Sequence, residues 1–160
     1  MKRLLFGFTQ ALLLILFAIS ATAKQKTIVI DAKSLMLQGS GFFHREGMVG
    51  FRVRDGQTKG QVVSTVPMGN GRFNVRLHTV GDKNGQTTYK FKVGDSLVGE
   101  FTTPATEKEF DKSDAFIATF KKVEINQGEN FTVIAENASH NGKDYSRGFW
   151  TKIEFTALDS

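Results

Sequence analysis

The stretch Gly71–Thr103 constrains this chain most. Phe73, Val75 and Leu77 alternate with Arg72, Asn74, Arg76 and His78; later, Thr87, Tyr89, Phe91 and Val93 alternate with Gln86, Thr88, Lys90 and Lys92. A period of two turns successive side chains to opposite faces, which suits a half-buried strand and not a helix. Asp82-Lys83-Asn84-Gly85 lies between the runs, and Asn-Gly in that position predicts a tight hairpin. Gly94-Asp95 predicts a second turn, into a strand with Leu97, Gly99 and Phe101 on one face. The expectation is a meander of three antiparallel strands.

The same alternation recurs on both sides. Thr27–Lys33 is a β-branched run, and Val49, Phe51 and Val53 share a face. Gln61–Val66 is stopped by Pro67 and the Gly69-Asn70-Gly71 turn. Phe116, Ala118 and Phe120 alternate, but Val123 and Ile125 fall one residue out of step, which predicts a β-bulge near Lys121-Lys122. Phe131, Val133 and Ala135 give another strand, and Phe149–Leu158 the last, with Ile153 and Phe155 inward and Trp150 on the opposite, polar face. Ala105–Ala115 is polar except for Phe110 and reads as a long loop or at most a helical turn. Eight to ten short strands without a helical pattern predict an all-β protein, an antiparallel β-sandwich, because each one-sided apolar sheet needs a second sheet to cover it. The 15 phenylalanines are numerous enough to fill the space between two sheets.

Residues 1–23 stand apart. Met1-Lys2-Arg3 is basic, Leu4–Ser20 is mostly apolar, and Ala21-Thr22-Ala23 has the small-residue pattern of a cleavage site. The expectation is a secretory signal peptide, a single domain over 24–160, and a secreted or periplasmic location in a bacterium, with no stable membrane insertion of the mature chain. Cysteine is absent, so no disulfide staples the domain. Removing Lys2 and Arg3 lowers Lys+Arg from 21 to 19 against 16 acids, and the net charge from +5 to +3. That bias is too small to argue for nucleic acid.

Catalytic chemistry finds little support. His44, His78 and His140 are scattered, no G-x-S-x-G occurs, and Glu100, Glu124 and Glu154 read as solvent-facing strand residues rather than a carboxylate pair. Asp82, Asn84 and Asp144 offer oxygens of the kind Ca²⁺ takes, but the D-x-D-x-D-G spacing and its closing Glu are missing, so turn chemistry accounts for them and no cofactor is expected. Polymer binding fits better. Arg72, Asn74, Arg76 and His78 would join Gln86, Thr88, Lys90 and Lys92 on the adjoining strand in one flat polar and basic surface. Loop aromatics are the second candidate: Phe43 and His44 follow a Gly-rich turn, while Tyr145, Arg147 and Trp150 bracket the last loop. Aromatic rings stack on the C–H faces of sugars, and Arg, Asn and Gln pair with hydroxyls.

With these residues in view, Gly71–Leu77, Asn84–Phe91, Val98-Gly99-Glu100-Phe101, Val123–Glu129 and Tyr145–Phe155 resemble the strands and turns of galactose-binding-like jelly rolls. That family includes the carbohydrate-binding modules of bacterial polysaccharide-degrading enzymes. Many members carry an acidic residue two places before the inward Ile of the last strand, where Thr151 stands here. The resemblance implies a jelly roll without catalytic activity that binds extracellular or envelope polysaccharide, with anionic chains favoured by the basic residues. Trp150 or Tyr145 would stack, Arg147 would donate to hydroxyl or carboxylate, and Asn84 and Gln86 would orient, with Phe43 and His44 as further candidates. A periplasmic accessory subunit that docks a protein partner, and a polysaccharide hydrolase or lyase with a site assembled in space, are the alternatives.

Overall fold

The computed structural model describes residues 25–53 and 56–158, so the expected signal peptide lies outside the described residues. Each alternating run becomes a strand. In chain order these are β1 (Thr27–Asp31), β2 (Gln38–Ser40), β3 (Phe42–Arg45), β4 (Met48–Phe51), β5 (Lys59–Thr65), β6 (Gly71–Val80), β7 (Thr87–Val93), β8 (Ser96–Thr102), β9 (Ala115–Ile125), β10 (Asn130–Asn137) and β11 (Trp150–Ala157). Eleven strands are one more than the upper expectation, because the Gln38–Phe51 region divides into three short ones. The first sheet runs β3-β4-β11-β6-β9, with β1 also paired to β11; the second runs β2-β5-β10-β7-β8. Every pairing is antiparallel, and the two sheets form a jelly-roll sandwich.

Rings from the two sheets meet in the middle. Phe91 of β7 stacks on Phe120 of β9 with centroids 5.1 Å apart, and Phe131 of β10 packs against Phe155 of β11 at 5.9 Å. Each fully buried ring contributes about 1.5–3 kcal/mol of transfer free energy. The expected bulge is present: the β6–β9 register slips between Phe73 and Val75, Lys122 adopts φ +55°, and its N–H donates to Asn74 Oδ1 at 3.2 Å. The polar 105–115 segment contains one 3₁₀ turn, Phe110–Lys112, whose only apolar side chain is buried.

Two expectations are corrected. The Asp82–Gly85 turn does not close a hairpin, because β6 and β7 belong to opposite sheets. Their apolar faces pack across the sandwich instead of lying side by side, and the turn is the corner between layers. Gly85 is required there for close approach and not for positive φ: a Cβ would collide with the carbonyl of Ala138. The flat surface expected from Arg72, Asn74, Arg76, His78, Gln86, Thr88, Lys90 and Lys92 is therefore divided between the outer faces of two sheets. The meander survives only as the β7–β8 hairpin.

The second correction concerns Glu154, which is 9% exposed and not solvent-facing. Lys152 Nζ lies 2.8 Å from its carboxylate, Arg76 Nη1 3.4 Å, and His78 Nε2 3.1 Å. The Lys152 hydrogen bond leads in holding its pKa below the ordinary glutamate value.

Candidate functional site

Connections from both sheets converge at one end of the sandwich. Backbone bonds knit them: His140 N donates to Asn84 O at 3.0 Å, Ala138 N to Gln86 O at 2.8 Å, Lys83 N to Lys108 O at 2.9 Å, and Phe51 N to Arg147 O at 2.7 Å. Below them sits a buried polar knot. Thr87 Oγ1 donates to Asn137 Oδ1 at 3.0 Å and lies 2.7 Å from Ser146 Oγ, while Asn137 Nδ2 donates to Phe51 O at 3.2 Å. Buried groups satisfied in this way fix the loops relative to the sheets.

On this base opens a cleft of about 370 Å³, lined by Phe43 of β3, Arg52 after β4, Asn84 of the sheet-to-sheet corner, and Asp144, Tyr145 and Arg147 of the β10–β11 loop. Its aromatic wall continues beyond it. Phe43 meets Phe149 edge-on at 5.5 Å, and Phe149 lies 4.6 Å from Phe110. Guanidinium groups lie over these rings: Arg52 over Phe43 at 5.2 Å, and both Arg147 and Arg45 over Phe110, at 5.2 and 4.6 Å. Such cation–π contacts hold an otherwise mobile side chain in one place.

Asp82 lies beneath Arg147. It is 4% exposed; its Oδ1 accepts the Asn84 N–H at 3.0 Å, and its Oδ2 lies 3.4 Å from Arg147 Nη1. Burial pushes its pKa above the ordinary aspartate value, against the opposing pull of the Asn84 hydrogen bond and the Arg147 charge. The carboxylate thus anchors both a loop backbone and a cleft side chain.

The expected site residues separate into two groups. Phe43, Asn84, Tyr145 and Arg147 come together around the cleft. Gln86 does not: its Nε2 donates to Thr103 O at 2.8 Å and straps two connections together. His44 is exposed on β3, edge-on to Phe42 at 5.9 Å, and is not among the cleft residues. Trp150 is a correction. It is 0% exposed, packed in the core between Val49 and Thr79, and cannot stack on a ligand. A bulge between Trp150 and Lys152 gives β11 one residue more than its partner β6, so Trp150 faces the same side as Ile153 and Phe155. Arg45, Arg52, Phe110 and Phe149 lie outside the expected site residues, and Asp82 enters as an anchor for Arg147 rather than as the Ca²⁺ oxygen donor weighed from sequence. Phe110 did carry a signal, as the one apolar residue of a polar loop.

The donor set fits Ca²⁺ poorly. Asp82 is turned to Arg147 and Asn84, Asp144 Oδ2 accepts from Asn141 Nδ2 at 3.0 Å, and no group of three His, Cys, Asp or Glu among the described residues is placed to hold a metal.

No family model matches the chain. Over 130 residues it is 26% identical to an uncharacterised protein of Formosa agariphila, a match covering 81% of this chain and 31% of that one. The chain therefore spans about a third of that relative's length. Solved structures are informative about the fold. A family 36 carbohydrate-binding module of a multidomain xylanase from the hindgut metagenome of Trinervitermes trinervoides superposes with TM-score 0.59 at 15% identity, covering 84% of this chain and 100% of the module. A family 36 module in complex with calcium and xylotriose gives TM-score 0.55 at 14% identity, covering 80% and 98%. A family 6 module from Clostridium cellulolyticum, in complex with xylose, gives TM-score 0.58 at 16% identity, covering 80% and 95%. The fold is that of the jelly-roll carbohydrate-binding modules.

Proposed function

We propose that this protein binds polysaccharide, without catalysing its cleavage, at the cleft on the loop end of the sandwich. The observation that carries the reading is the meeting of Phe43, Tyr145, Asn84 and Arg147 around an open space of about 370 Å³. These residues come from strand β3 and two separate connections, on a fold whose solved examples include modules in complex with xylotriose and xylose. Tyr145 and Phe43 supply faces for sugar C–H groups, Asn84 orients a hydroxyl, and Arg147 donates to hydroxyl or carboxylate. Arginines around the cleft favour anionic chains. The sequence of residues 1–23 supports export to the periplasm or beyond, where such polymers are met.

An accessory subunit built for protein docking would show a contiguous apolar patch. The exposed large apolar residues among those described are Val29, Met36, Leu97 and Ile117, each on a different segment of the chain. The test is affinity electrophoresis through gels cast with neutral and charged polysaccharides. Tyr145→Ala and Asn84→Ala should abolish any retardation shown by the parent, with the fold unchanged by circular dichroism. Parent-like migration of both variants on a gel that retards the parent would move the site elsewhere.

A further inference from the structure

Phe110 interrupts a segment of otherwise polar residues, yet it is 8% exposed and sits against Phe149. Two arginines from distant parts of the chain, Arg45 of β3 and Arg147 of the β10–β11 loop, share its ring. Two like charges over one ring repel, and the partners present relieve this only in part. Arg147 has the buried Asp82 at 3.4 Å. Arg45 has Glu46 at 3.3 Å, but their side chains are 47% and 64% exposed, where an ion pair contributes little. The neighbouring cations of the same region are matched differently: Lys83 contacts Glu109 at 2.7 Å and Lys108 contacts Asp114 at 2.9 Å, with no ring involved. Arginine alone is spread over the aromatic wall.

A guanidinium held over a ring keeps N–H donors at its rim, in the planar fork that matches the oxygens of a carboxylate or sulfate. The ring contact also removes much of the rotamer freedom that ordering a free arginine on a ligand would cost. Arg52 over Phe43 repeats the arrangement at the other end of the wall, two ring-to-ring steps of 5.5 and 4.6 Å away from Phe110. Arg147 belongs both to the cleft and to the Phe110 platform, so it joins the two.

We propose that Arg45 and Arg147 on Phe110 form an oxyanion subsite that extends the cleft and, with Arg52 on Phe43, reads the carboxylate or sulfate groups of a bound polysaccharide. This rests on the polysaccharide-binding reading above and adds to it the charge of the ligand and a direction for the chain, from Phe43 across Arg147 to Phe110. Arg45 and Phe110 become ligand-recognition residues outside the cleft proper.

The experiment runs the mature chain through gels cast with dextran, carboxymethyl-dextran or dextran sulfate, which share a backbone and differ in charge. The parent should be retarded by a charged gel more than by dextran, and added salt should weaken the effect. Which charged gel retards it more tells carboxylate from sulfate. Arg45→Gln should weaken that retardation roughly tenfold or more, the size of one lost charge-assisted hydrogen bond. Arg52→Gln should act in the same direction. Lys121→Gln, toward the opposite end of β9, removes an equal charge and should change little. Equal migration in all three gels, a parent-like Arg45→Gln, or a Lys121→Gln as weak as Arg45→Gln would each overturn the proposal. Tyr145-dependent binding of neutral polysaccharides with no charge dependence would sink this inference alone; no retardation by any polysaccharide would sink both readings.

Discussion

Two sets of aromatic rings divide the labour in this molecule. Phe91, Phe120, Phe131, Phe155 and Trp150 lie between the sheets, and their neighbours are other apolar groups. Phe43, Phe149 and Phe110 form a second string at the loop end, with guanidinium groups over the two outer rings, Phe43 and Phe110. Several rings of both sets are almost fully buried, so burial by itself does not tell packing from presentation. What differs is the partner. A ring that faces a second sheet stabilises the fold; a ring that faces arginine fixes a charge in place.

Substitutions can break or sharpen that contrast. The largest effect is expected at Trp150. Its replacement by alanine empties a sealed core position and should cost about 3–5 kcal/mol in urea denaturation, and any loss of binding should follow loss of fold. A stable, folded Trp150→Ala that no longer binds would place Trp150 with the presenting rings. Next comes Gly85→Ala, which drives a methyl group into the Ala138 carbonyl where two loops touch. It should cost about 1–3 kcal/mol and reduce polysaccharide retention, because the corner carrying Asn84 must shift.

The buried carboxylates give a smaller, pH-dependent pair of effects of opposite sign. Glu154 has a folded-state pKa below its ordinary value, so its stabilising contribution is present above pH 4.5 and is lost as pH falls through the lowered value. Glu154→Gln should be less stable than the parent near neutrality by about 1 kcal/mol, a gap that closes on acidification. Asp82 is raised, mainly by burial, so its charged form opposes folding above its folded pKa and the parent gains as pH falls through that value. Asp82→Asn should therefore be slightly more stable than the parent near neutrality, by under about 1 kcal/mol, and lose that advantage in acid. Denaturation curves at several pH values check both; trends of the same sign would refute the contrast. A comparably small stability effect is expected for Tyr145→Ala, half-buried at the cleft, which should stay within about 1 kcal/mol of the parent while losing retention.

Much of this was legible in the residues. Alternation located the strands, and the out-of-step Val123 and Ile125 announced the bulge that the positive φ of Lys122 and its bond to Asn74 complete. Four of the seven residues expected at the site, Phe43, Asn84, Tyr145 and Arg147, meet at one cleft. Regular alternation along β11 places Trp150 on the polar face, and the extra residue at Thr151 reverses its side. Phe110 stands out in its polar segment, but nothing local says which distant arginines will cover its ring.

Period-two patterning is a local property, set by which side of a pleat each residue faces, so the chain alone specified extended strands with one apolar face. Which strands share a sheet is a different question. The turn Asp82–Gly85 is compatible in composition with a hairpin and with a sheet-to-sheet corner; the choice was made by packing, when the apolar faces of β6 and β7 met across the sandwich. The same step carried Arg45, Arg52 and Arg147 to one aromatic wall from positions up to 102 residues apart. Contacts of that separation depend on where whole layers come to rest, and no short stretch of sequence encodes them.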